Sequence, residues 1–281
     1  MLRKGMLVSR RPSRAVTVAA IVVALMAAAV AEAQFGRGFS RFNARIATAE
    51  DHDGAFHFCR AWFRSSMNGD GGNWSVDYPQ ADINLSIRLA ELTRTPVSHD
   101  TSNEPNHLIV RLTDDTLFQC PFIMMTEVGS ASFNEQEAAR LREYLLKGGF
   151  LWVDDFWGTY AWSIWASQIR KVFEPPEFPI VDIPADHPLY SAQFVVPQTP
   201  QIPNIGHWLD TGTTSERGSD SADVHTRAIL DKDGRIMVLM THNTDLGDSW
   251  EREAEDPTYF YQFSVKGYAF GINVLLYALT H

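Results

Sequence analysis

Four short stretches of this sequence carry residue types able to do chemistry. They are Asn73, Trp74, Asp77 and Tyr78; Thr126 and Glu127; Asp154, Asp155 and Trp157; and His242, Asn243, Asp245, Asp248, Trp250 and Glu251. Carboxylates accept hydrogen bonds from ligand hydroxyls and serve as general bases. Histidine titrates near neutrality and acts as a base or a metal ligand. Tryptophan faces stack on sugar rings, although they more often pack in cores. Asp154 and Asp155 are adjacent, so along a strand their side chains point to opposite faces. That spacing disfavours an acid/base pair and lets one face a crevice while the other caps the next helix. Asn243, Asp245 and Gly247 resemble part of a calcium loop. The glycine falls one position early and no Glu fills the last ligand position, so the pattern predicts no metal.

Other chemistry is excluded by absence. There is no G-x-S-x-G elbow, no Walker loop, no H-E-x-x-H and no C-x-x-C, and no cofactor is expected. Cys59 falls inside an apolar run and Cys120 just before one, so neither sits at a strand-to-helix turn where a thiolate is activated. The two cysteines are read either as a disulfide or as two buried thiols. The net charge of −10 argues against a nucleic-acid binder.

These stretches follow apolar runs that read as strands at 55–63, 107–112, 121–128, 149–155 and 237–243. Helices are predicted over 83–94, capped by Asp82, and over 133–147, opened by a Ser132–Glu135 capping box and closed at Gly148. Further helices fall at about 160–173 and 262–279, where Gly267 and Gly271 would allow close packing on a sheet. Strand–helix alternation predicts an α/β fold with a mostly parallel sheet covered on both faces. In such sheets ligands bind beyond the carboxyl ends of the strands, where all four stretches are expected to meet.

Residues 1–14 hold five basic residues and no acid; a 17-residue apolar run from Ala15 to Ala31 and an Ala31-Glu32-Ala33 step follow. This is the layout of a signal peptide cut after Ala33, which implies a periplasmic or secreted chain with no stable membrane span. Ser9-Arg10-Arg11 hints at twin-arginine export, but Ser13 and Arg14 stand where apolar residues are expected, so the export route stays open. Cleavage takes five basic residues and one acid from totals of 24 and 34, leaving a net charge of −14. Residues 34–54 read as a flexible lead-in and 55–281 as a single domain. Within that domain, 174–226 is a proline-rich excursion, holding eight of the 14 prolines, that reads as a lid or a mobile insertion.

The segments NWSVDYP, FIMMTEVG, REYLLKGGFLWVDDFWGTY, DHPLY, NTDLGDSWE and GINVLLYALTH resemble a bacterial family catalogued as a domain of unknown function. The resemblance spans roughly 55–281. It implies a flavodoxin-like three-layer sandwich, similar to class I glutamine amidotransferases and trehalose-utilisation-like proteins. In the amidotransferases a cysteine nucleophile follows the third strand; here Glu127 stands at that turn, so thiol-dependent glutaminase activity is not expected. The expected function is a non-catalytic binding module for a small polar or carbohydrate-like ligand, held by Asn73, Trp74, Glu127, Asp154, Asp155, Trp157, Asn243, Asp245, Asp248 and Trp250. The alternatives are a carboxylate-dependent hydrolase using Glu127 or Asp155 with His242, and a structural envelope-assembly protein.

Overall fold

The computed structural model describes residues 46–281. The expected signal peptide and the first part of the lead-in lie outside the described residues. Five parallel strands form the centre: β1 (Phe58–Trp62), β3 (His107–Arg111), β4 (Phe122–Thr126), β6 (Phe150–Asp154) and β9 (Ile236–His242). Two antiparallel strands, β7 (Ile180–Asp182) and β8 (His225–Leu230), extend the sheet to seven, in the order β3-β1-β4-β6-β9-β8-β7. A separate two-stranded antiparallel sheet pairs β2 (Arg64–Ser65) with β5 (Ala131–Ser132).

Every residue of β4, β6 and β9 is buried. Buried on both faces, a strand needs no polar side, which is why these segments read as unbroken apolar runs. Phe122, Met124, Phe150 and Trp152 point to one core with α1 (Gln80–Leu92), α5 (Leu246–Glu251) and α6 (Val265–Thr280). Their alternates Ile123, Met125, Leu151 and Val153 point the other way. On that face α2 (Glu135–Leu146) packs on α3 (Gly158–Val172). The chain is therefore α/β with a mostly parallel sheet and helices on both faces.

Several local expectations are corrected. The helix α2 begins two residues late, at an Asn134–Glu137 capping box, because Ser132 is engaged in the β2–β5 pair. Asp82 does not cap α1; it is fully buried and bound bidentately by Arg60 of β1. Gly267 and Gly271 face α5 instead of the sheet, since a Cβ on Gly271 would press on Trp250 and one on Gly267 would collide with Ser249. Residues 46–54 are tied to the sheet edge, with Ile46 bridging Ile109. The excursion contributes β7, the helix α4 (Ile205–Thr211) and the approach to β8. Cys59 and Cys120 form a disulfide. Among the described residues no helix is long and apolar enough to cross a membrane.

Candidate functional site

The turns that directly follow β4, β6 and β9, and the end of the long loop from β1 to α1, place polar side chains at the sheet's carboxyl edge. Four of these turn residues adopt the left-handed backbone: Asp77 (φ 62°), Glu127 (φ 56°), Asp155 (φ 54°) and Asn243 (φ 66°). That region is unusual for residues with a Cβ, and Asn and Asp enter it most readily. The turns are stitched together by backbone bonds. Glu127 N–H donates to the carbonyls of Asp154 (3.2 Å) and Asp155 (3.1 Å), Asp155 N–H to Thr244 O (3.2 Å), and Asn243 N–H to Phe156 O (3.0 Å).

The consequence is a knot of carboxylates. Oxygens of Asp77, Asp155 and Asp245 lie within 4.8 Å of one another, and Asp77 also shares such a cluster with Asp248 and Glu251. Burial pushes the carboxyls of Asp77, Asp155 and Asp245 well above the usual range, reinforced by their neighbours' charges: Asp248 for Asp77, Glu127 for Asp155, Asp155 for Asp245. Asp154 has a different role. Its carboxylate accepts from Thr241 Oγ1 (2.5 Å), Leu246 N–H (2.7 Å) and Gly247 N–H (3.3 Å), so it pins the first turn of α5. Burial raises it to about 7 against those bonds. Asp248 is buried, accepts from Ile205 N–H (2.6 Å) and is raised to about 6, mainly by burial.

The family-model comparison matches the domain of unknown function DUF4159 over residues 64–279. The chain belongs to the DUF4159 family. A comparison with curated proteins returned no match.

In this DUF4159 chain Glu127 occupies the turn after β4, half-buried, with its carboxylate under the Gly71–Gly72 loop. A Cβ at Gly71 would collide with that carboxylate, so the loop needs glycine there as well as for its φ of 122°. Burial raises Glu127 to about 7, opposed by a Gly72 N–H bond and reinforced by Glu216 and Asp70. Asp70 in turn pairs with Arg217 of the excursion (3.0 Å).

His242 is not brought to these acids. Its Nε2–H donates to Gly158 O (3.0 Å) and its ring stacks on Phe156 at 4.8 Å, on the α3 side of the sheet. Its titratable neighbours include Arg227, His225 and Asp220, and burial lowers it to about 4. The carboxylate–histidine pair that the hydrolase alternative requires is absent among the described residues. With both cysteines in a disulfide, no thiol is available either.

The tryptophans form no open platform. Trp74, Trp157 and Trp250 are 4%, 5% and 0% exposed. Trp250 meets Trp152 edge-on, and the Trp157 indole donates to Asp155 Oδ1 (3.0 Å). Asn73 is exposed and bonds Ser75 within its own turn. Asn243 works as a brace: its Oδ1 accepts Gly158 N–H (2.8 Å) and its Nδ2 donates to Asp223 O (2.7 Å).

Sequence reasoning missed the concavity at this edge. A cavity of about 450 Å³ is lined by Asp182 and Ile183 from the end of β7, Gln198, Thr199 and Gln201 from the excursion, and Asp223, His225 and Thr226 at the start of β8. Since β8 runs antiparallel to β9, with His225 opposite His242, this is the same edge as the carboxylates. The only signal in the sequence was the weight of polar residues within 198–226.

Proposed function

We propose that this DUF4159 chain is an exported, non-catalytic binding module that takes a small, neutral, hydroxyl-rich ligand into the cavity at the carboxyl edge. The cavity itself carries the reading. At about 450 Å³ it is of ligand size, and its wall mixes amide, hydroxyl, imidazole and carboxylate groups. Burial and Arg227 lower the His225 pKa, so its ring is neutral at pH 7 and able to donate or accept. Asp223 disfavours anions, while Asp182 is paired with Arg227 at 3.2 Å. The buried tryptophans mean that a sugar would be held through its hydroxyls and not by stacking. A flavodoxin-like assignment is supported by the parallel strands, which numbered in chain order lie 2-1-3-4-5. Export rests on the basic, apolar and small-residue layout of residues 1–33.

The test is calorimetry of the chain with neutral mono- and disaccharides and polyols, with sugar acids as the contrast. A neutral compound is expected to bind, and a Gln198→Ala/His225→Phe double variant to lose at least tenfold in affinity. No binding by any neutral compound, or equal binding by the variant, would contradict the reading.

A further inference from the structure

We propose that Asp77, Asp155 and Asp245 hold a hard divalent cation, Ca²⁺ or Mg²⁺, between the loop that leads into α1 and the turns after β6 and β9. The proposal stands apart from the cavity reading. Three observations carry it. First, the three carboxylates come from segments far apart in sequence, and their oxygens lie within 4.8 Å of one another. That span is about two Ca–O bond lengths, so one ion reaches all three.

Second, Asp77 is 7% exposed and its Oδ2 is buried without a hydrogen-bond partner. A buried carboxylate oxygen left unpaired is costly, and pairing or coordinating a metal is the usual remedy. Asp155 uses Oδ1 for the Trp157 indole and Asp245 uses Oδ1 for Asp248 N–H, which leaves the second oxygen of each for a ligand.

Third, protein cations near the cluster are committed elsewhere. Arg60 is bound to Asp82 and to Val76 O. Arg252 lies 2.7 Å from Glu251 and 3.5 Å from Asp248. The overlapping Asp77–Asp248–Glu251 cluster is thereby partly neutralised; the charge of Arg60 reaches Asp77, but its hydrogen bonds go to Asp82 and Val76 O and not to the Asp77–Asp155–Asp245 cluster. An all-oxygen donor set selects a hard cation over zinc or copper, with water completing the shell.

The experiment strips the full chain with EDTA and follows melting and calorimetric heat with CaCl₂ and with MgCl₂ at constant ionic strength. At a hundredfold excess over Kd, the melting temperature should rise by roughly 5–10 °C. The larger response identifies the preferred ion. Asp77→Asn and Asp245→Asn remove charge while keeping shape, and Asn at 245 can still cap α5. Each should lose at least tenfold in cation affinity while melting, in EDTA, no lower than the parent. The proposal is overturned if neither cation changes melting or heat of the folded chain. It is equally overturned if both variants respond as the parent does.

Discussion

Replacing Asp154 separates a structural latch from a ligand-binding carboxylate. Its side chain holds Thr241 Oγ1, Leu246 N–H and Gly247 N–H, all buried. Asp154→Ala removes the acceptor and strands the Leu246 and Gly247 N–H groups where water does not reach, while Thr241 Oγ1 keeps Val153 O at 3.1 Å. At roughly 1 kcal/mol for each stranded donor, the loss is about 2 kcal/mol. Asp154→Asn keeps an oxygen for the two α5 N–H groups, and its cost at pH 6 is expected to stay near 1 kcal/mol or below. The pH dependence gives a second reading. Burial raises the folded carboxyl to about 7 from 3.8. A raised carboxyl adds stability that is complete below pH 3.8 and is lost as pH climbs through 7. The Asn variant lacks this titration, so between pH 4 and 8 it should gain on the parent by roughly 3–4 kcal/mol. Urea unfolding followed by tryptophan fluorescence in EDTA, with unchanged m-values, measures both effects. An Ala variant within 0.5 kcal/mol of the parent, or an Asn variant as damaged as Ala, would refute the latch.

Other perturbations test neighbouring parts of the account. His242, lowered to about 4 by burial, is neutral in the folded chain. Its contribution is therefore lost as pH falls from 6.5 toward 4, by roughly 3 kcal/mol, and His242→Phe should flatten that limb of a pH–stability series. The Cys59–Cys120 bond closes a separation of 61 residues. Its removal in a Cys59→Ala/Cys120→Ala variant is expected to cost about 4 kcal/mol, and reductant should lower the parent's melting temperature but not the variant's. Arg60→Met strands the buried Asp82 and should cost roughly 3–5 kcal/mol by chemical denaturation, with much of the loss recovered by adding Asp82→Leu.

The central sheet was legible because its strands are apolar on both faces. The run FIMMT permits little besides a buried strand, and its partner LWVD reads the same way. The strand β8 escaped notice because HTRAIL is half polar, as suits its place near the sheet's antiparallel edge. β7 is three residues long and lies among prolines. The cap of α2 was misplaced because local spacing cannot register that Ser132 pairs with Arg64. At the site, the choice between Asp154 and Asp155 was anticipated in form: one caps a helix and the other enters the cluster. The helix was expected to be the next one, α3; it is α5, which arrives from a distant part of the chain. The role of Asp77 was equally hidden. Its partners Asp155 and Asp245 are distant in sequence, and only the turn geometry brings their oxygens together. The tryptophans misled for the opposite reason, because rim and core positions look alike in sequence and here all three are buried.

The most direct measure of the cavity reading is amide chemical-shift mapping of the isotope-labelled chain titrated with a neutral saccharide. The account expects saturable shifts centred on Asp182, Gln198, Thr199, His225 and Thr226, with the α2 surface unmoved. Shifts centred elsewhere, or none at millimolar saccharide, would contradict it.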